Sequence, residues 1–333
     1  QELSIQIAFI RKNQLLATFL NIKKKIWSTS CKCLKCRSVS ADQRFGNLLR
    51  GKSPWRRLGL VIIALVAVTV VAGSLGSTTI PFMATMQIFM SRIFGLDLTN
   101  DWPQSWDIIL WQLRFPRILL AGLVGSALAL SGATYQGLFR NPLADPYLIG
   151  VASGAGLGAT IAILSGVATS YTGFGVLPIA AFAGAVAAVS VTYVVAHRSG
   201  GLPLPTLILA GVAVSALCGA IGSLLMIRSD PDLRPVLSWL LGGFVSAQWK
   251  HSVALMPYLL IGSVLLLAHG RILNVLQLDE ERARQLGVNV ERTKMILIGA
   301  ASLCTAAAVA FSGLIGFVGL IAPGFVEDTK KFE

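Results

Sequence analysis

Long apolar runs separated by short polar or proline-containing breaks dominate the chain after residue 57. Read in windows of about 19 residues, this pattern predicts seven helical spans, near 58–77, 114–134, 147–166, 174–196, 206–227, 252–270 and 293–312. Each approaches the roughly 20 residues that cross a hydrocarbon core of about 30 Å. Transmembrane strands would instead alternate apolar and polar residues in segments of about ten. The pattern therefore predicts an all-α polytopic membrane protein. The stretch from Trp111 to Gly158 is the most telling, since it sets a polar, turn-rich loop between two glycine-rich apolar flanks.

Small residues recur at every fourth position within the spans: Ala121, Gly125, Ala129 and Ala133; Gly150, Gly154 and Gly158; Gly211, Ser215, Gly219 and Ser223. That spacing places them on one helix face, where they let backbones approach closely in a medium that supplies no hydrophobic force between helices. It predicts a tight bundle, as it would for any polytopic protein.

Composition agrees: 54% of the 333 residues are hydrophobic, 13% are charged, and the mean hydropathy is +0.71. A net charge of +13 raises the possibility of nucleic acid binding. Its distribution argues against that, because the basic residues concentrate before Leu58 and in the segment holding Arg271, Arg282, Arg284, Arg292 and Lys294. Positive residues mark the cytoplasmic side, so the N-terminus is expected inside. Residues 1–57 read as a basic leader, disordered or lying on the membrane surface, with 3–22 able to form an interfacial amphipathic helix.

Three tempting motifs carry little. Gly46, Gly51, Lys52 and Ser53 match a phosphate-binding loop, but no apolar strand precedes them and Pro54 follows. Cys31, Cys33 and Cys36 would need a fourth donor to hold zinc or copper, and no second C-x-x-C or suitably spaced histidine follows. His197, His251 and His269 stand far apart near span ends, without carboxylate partners. No side-chain constellation for catalysis, resident metal or cofactor emerges.

Between the last two spans, Leu273–Lys294 alternates apolar and charged residues with helical spacing. Leu273, Leu276, Ala283 and Leu286 are expected to share a face, with Asp279, Glu280, Glu281, Arg282 and Arg284 solvated. This reads as a short amphipathic docking helix for a partner.

Six ordered blocks complete the picture: RFPR at 114–117, SGATYQGLFRNPLADPYLIG at 131–150, LAGVAVSAL at 209–217, WLLGGF at 239–244, ARQLG at 283–287 and FSGLIGFVGLIAP at 311–323. Together, from about Leu58 to Pro323, they resemble the permease subunits of ABC importers for iron–siderophore complexes, haem and cobalamin. The resemblance implies a permease paired with a second copy or homologue in the cytoplasmic membrane. It also implies a cytoplasmic ATPase that binds the ATP, and an external substrate-binding protein. By position, Leu276, Asp279, Glu280, Ala283, Arg284, Gln285, Leu286 and Gly287 match the element coupled to the ATPase, and Arg114 and Arg117 match arginines that dock the binding protein. Residues 206–226 and 234–244 look like pathway and gate elements. By family frequency a ferric siderophore is the first expected substrate, with cobalamin or haem next. Such permeases usually have ten spans, with a histidine after the proline of the last block, whereas Gly324 follows Pro323 here and a polar tail, 324–333, is expected. A transport-incompetent truncated member, a membrane sensor or scaffold, and an autonomous channel are the alternatives.

Overall fold

The computed structural model describes residues 54–76, 78–95, 102–166, 175–198, 203–228, 233–278 and 280–331. The leader with its cysteine cluster and phosphate-loop look-alike, and Asp279, lie outside the described residues. The chain divides into two compact units, 1–67 and 68–333. Of the first unit the description covers the start of helix α1 (Pro54–Ser74), whose apolar side chains from Leu60 to Val66 are largely exposed.

The second unit holds the rest of α1, then α2 (Phe82–Phe94) and the long helix α3 (Gln104–Phe139), which contains a π-helical turn at Ile109–Arg114. After a 3-10 turn at Pro146–Ile149 come α4 (Val151–Leu164), α5 (Val176–His197), α6 (Leu204–Arg228) and α7 (Arg234–Leu240). The chain continues with α8 (Trp249–Ala268), α9 (Gly270–Leu278), α10 (Glu280–Gln285), α11 (Val290–Ser312) and α12 (Val318–Lys331). Among the described residues there is no strand.

Five of these helices, α3, α5, α6, α8 and α11, are long and apolar enough to cross a membrane, and Gly59–Ser74 and α4 are shorter apolar helices. They correspond in order to the seven expected spans. The apolar windows did not signal α2, whose methionines and aromatics alternate with polar residues, or the short α7. The expected polar tail is not separate either, since α12 runs through Pro323 to Lys331.

Helix α11 is the axis of the second unit. Its apolar window is 72% buried, against 22–28% for α5, α6 and α8. The reason lies in its composition: Ala300, Ala301, Ser302, Cys304, Thr305, Ala306, Ala307, Ala308 and Ala310 present little more than backbone over most of its surface. Neighbours α3, α5 and α8 can therefore pack close to it. Its hydroxyls are satisfied locally, as Thr305 and Ser312 donate to the carbonyls four residues back. Across the contact, Ser131 of α3 donates to Ala301 O, and the Tyr135 hydroxyl meets Ser302 Oγ at 2.8 Å.

Glycines set the other close approaches. A Cβ on Gly154 would lie 2.4 Å from Gly184 O, and one on Gly158 2.2 Å from Ala180 O, so α4 and α5 touch through their backbones. Gly211 sits against Leu148 O in the same way, and Ser215 accepts a hydrogen bond from Ser153. Gly150 takes φ +90° at the entry to α4. Two of the expected packing positions behave otherwise: a Cβ on Gly125 or Gly219 would meet nothing within 4 Å among the described residues. For Gly219 the reason is that α6 packs chiefly through its first half. Gly158→Leu is expected to lower stability by about 2 kcal/mol or more through overpacking, and Gly125→Ala to leave it nearly unchanged. Thermal unfolding in detergent checks both.

Candidate functional site

The two regions expected to meet partners lie at opposite ends of α3. From Phe115 to Phe139 the helix has 25 residues, and at 1.5 Å per residue this is about 37 Å, enough to cross a bilayer.

At the first end, Arg114 and Arg117 part company. Arg114 turns into its own chain: Nη1 donates to Gly73 O at 2.5 Å, and Nη2 donates to the backbone oxygen and hydroxyl of Thr78. It ties α3 to the end of α1, where the carbonyls lack partners within the helix. Arg114, expected at a docking surface, thus makes internal contacts in this chain. Arg117 is exposed, and its Nη2 donates to Val245 O at 2.9 Å. It stands beside a cleft of about 480 Å³ lined by Gln112, Leu113 and Val245–Lys250. Trp111 and Trp249 pack at the cleft, ring centroids 5.0 Å apart, and Trp249 Nε1 donates to Trp111 O. Arg92 of α2 lies 5.9 Å over the Trp111 ring and pairs with Asp107 at 2.6 Å, a contact that raises its already high pKa. Several tryptophans at one end of a bundle suit a membrane interface, where an apolar ring with a polar edge is at home.

At the other end, α3 stops at Arg140, which adopts the left-handed conformation at φ 53°. The following loop is held by its own side chains. Asn141 Oδ1 accepts from Leu143 N, and Asp145 Oδ1 from Tyr147 N. Burial pushes the Asp145 carboxyl up from its ordinary pKa, opposed by that N–H. Tyr147 donates to Ile315 O, and Gln136 Nε2 donates to Leu320 O, while Gly132 and Gly319 meet backbone to backbone. In this way the motif block 131–150 packs on the block 311–323. The block 239–244 joins them, as Gly243 N donates to Ser312 O and a Cβ on Gly313 would lie 2.4 Å from Trp239 O. Gly132, Gly184, Gly242, Gly313 and Gly319 were missing from the candidate residues. Their only sequence signal is a glycine inside an apolar block, which does not name its partner.

Arg140 also reaches the expected docking segment, its Nη2 donating to Leu276 O at 2.6 Å. That segment is two helices, α9 and α10, where a single amphipathic helix was expected. Nor do its apolar residues share one face. Leu276 is 4% exposed and Ala283 fully buried in the chain's own core, whereas Leu278 and Leu286 are 74% and 71% exposed. Between the two exposed leucines, Glu281, Arg282, Arg284 and Gln285 are also exposed. Glu280, expected in solvent, instead pairs with Lys294 of α11 at 2.7 Å. The stop after α10 is a Schellman turn: Val288 N donates to Ala283 O, Gly287 N donates to Arg284 O, and Gly287 takes φ +80°. Asn289 Oδ1 then accepts from Arg292 N and caps α11.

Taken together, an apolar bundle of several spanning-length helices with one aromatic, arginine-bearing end and one amphipathic end defines a polytopic helical membrane protein. The chain belongs to the FecCD transport family, whose model matches residues 61–329. It is 45% identical over 259 residues to the cobalamin import system permease of Halobacterium salinarum, covering 77% of this chain and 66% of that protein. It is 38% identical over 279 residues to the haemin transport system permease of Yersinia pestis, covering 82% and 78%. A solved structure described as a metal-chelate-type ABC transporter in an inward-facing conformation superimposes with a TM-score of 0.67 at 32% identity, covering 81% of this chain and 79% of that one.

Among the described residues no group of three or more His, Cys, Asp or Glu gathers in a way that would hold a metal ion. Cys304 packs on Gly262, where an added Cβ would lie 2.1 Å from the sulfur.

Arg114→Ala is expected to cost about 1.5–3 kcal/mol, the range for hydrogen bonds to a charged group, while Arg117→Ala leaves stability within about 0.5 kcal/mol, as surface changes do. Chemical unfolding of the two variants in the same detergent separates them.

Proposed function

We propose that this chain is the membrane subunit of an ABC importer. It provides the path for a metal chelate of the corrinoid or haem class, and a separate cytoplasmic subunit binds and hydrolyses ATP. The observation that carries the reading is the α9–α10 segment. Two leucines stand 74% and 71% exposed beside a charged six-residue helix, at the end of α3 opposite the tryptophans. Exposed leucines within a charged segment are costly unless a partner covers them, and a helix that seats its apolar side chains in a groove is a familiar recognition mode.

The named relatives support a corrinoid or haem cargo, so the ferric siderophore loses its place as first choice. On this reading the leader and the α9–α10 segment face the cytoplasm, and Arg117 with the adjoining cleft faces an external binding protein. The outer faces of α6 and α8, where Leu209, Leu217, Leu260 and Val264 are exposed, meet lipid or a second permease copy.

The test is co-purification with an ATPase encoded beside the chain. The doubly substituted Leu278→Asp, Leu286→Asp chain should remain folded and lose at least about tenfold in affinity, as loss of two central contacts does. Leu276→Asp should instead destabilise the chain itself, by several kcal/mol, because it buries an unpaired carboxylate. Undiminished ATPase binding by the double variant would overturn the assignment of the docking face.

A further inference from the structure

Helix α10 has six residues, too few to be stable by itself. Its fixed position therefore needs an outside cause. The apolar share is small, since Ala283 is its one buried residue. Through its backbone the neighbouring α9 is held to α3 by Arg140, which donates to Leu276 O, but that bond leaves the rotation of α10 about its own axis open. Lys294 addresses α10 directly. Its side chain is 6% exposed, and Nζ meets Glu280 Oε1 at 2.7 Å.

A lysine in that setting is expensive. Burying an ammonium costs several kcal/mol, which attraction to a carboxylate does little more than offset. A pair of apolar residues could fill the same space without that desolvation cost, but would set no single placement of α10. What the ion pair supplies is direction: a charge on the first turn of α11 accepts one placement of the carboxylate on the first turn of α10. The acidic group also suits the positive end of the α10 backbone dipole. The lysine belongs to the helix that packs most completely within the bundle, and the glutamate to the segment proposed above to meet the ATPase.

We propose that Lys294 and Glu280 are positioning residues, a strut that fixes α10 on α11 so that movement imposed on α10 by a bound ATPase reaches the core of the bundle. The proposal rests on the permease reading for its second half only, and the two halves are measured separately.

The experiment is hydrogen exchange on the full chain in detergent, wild type against Glu280→Met, Lys294→Met. The paired substitution leaves no lone buried charge and should fold. Without any partner, amides in 280–287 should exchange roughly two- to a hundredfold faster in the double variant, the span that coupling energies between contacting residues give. The charge-exchanged chain, Glu280→Lys with Lys294→Glu, should recover at least half of the lost protection. Unchanged exchange in the double Met variant, or no recovery on exchanging the charges, would overturn the strut.

The second arm adds the ATPase and ATP. In the wild type the exchange of the first turns of α11, residues 290–297, should change on ATP binding. In the double Met variant the ATPase should still protect 280–287 while 290–297 no longer responds. An equal response of α11 in both chains would show that the pair transmits nothing and overturn that half. A wild-type chain that binds no ATPase would overturn the permease reading and leave the first arm to decide the strut.

Discussion

The arrangement of the second unit depends on backbone-to-backbone approach between helices that have little side chain between them. In lipid, apolar side chains gain nothing by leaving their solvent, so helix association rests on dispersion contacts and interhelical hydrogen bonds, both of which fall away steeply with distance. The alanine run of α11, the Gly154–Gly184 and Gly158–Ala180 contacts and the meeting of Gly132 with Gly319 are the points where this closeness is reached. Every larger side chain is arranged around them. Tyr135 and Gln136 on α3, for example, can reach Ser302 and Leu320 because the helices carrying those partners are already near.

The same closeness explains the placement of the polar chemistry. A rigid α3 separates two wet ends by about the thickness of a bilayer. At one end Arg114 is consumed in tying helices together and Arg117 is left beside an open cleft. At the other, Arg140 and Lys294 reach from the bundle to a segment with little apolar area of its own. Cations thus serve as the joints between the tightly packed bundle and its polar ends. An arginine fork and a long lysine stem both suit this, since each extends an apolar shaft through packed side chains to a charged head.

The membership in the FecCD family bears on the reading through position, because the matched region, 61–329, contains both wet ends and all of the apolar helices. The six motif blocks that carried the resemblance prove to be largely places where backbones meet or the chain turns. The blocks 131–150, 239–244 and 311–323 form one contact, and Gly287 in the ARQLG block is the left-handed stop of α10. Such positions tolerate few residue types for steric reasons, which makes them recognisable without any direct contact with cargo.

The all-helical membrane class, the order of the apolar helices and the presence of a charged, leucine-bearing segment before α11 are legible in the residues alone. These follow from hydropathy and from local periodicity, which need no knowledge of neighbours. Which leucines face outward, the internal contacts of Arg114 and Glu280, and the fact that among the described residues Gly154 and Gly158 meet a neighbouring helix while Gly125 and Gly219 do not, emerge only from the packed helices. Helical spacing says which residues share a face, but every face of a helix in a membrane is apolar, so the pattern loses the contrast that would tell a protein-facing side from a lipid-facing one. It also cannot show that Leu276 lies on α9 and is buried while Leu286 lies in the turn after α10 and is exposed, because that depends on neighbours such as Arg140 and Lys294 that come from elsewhere in the chain.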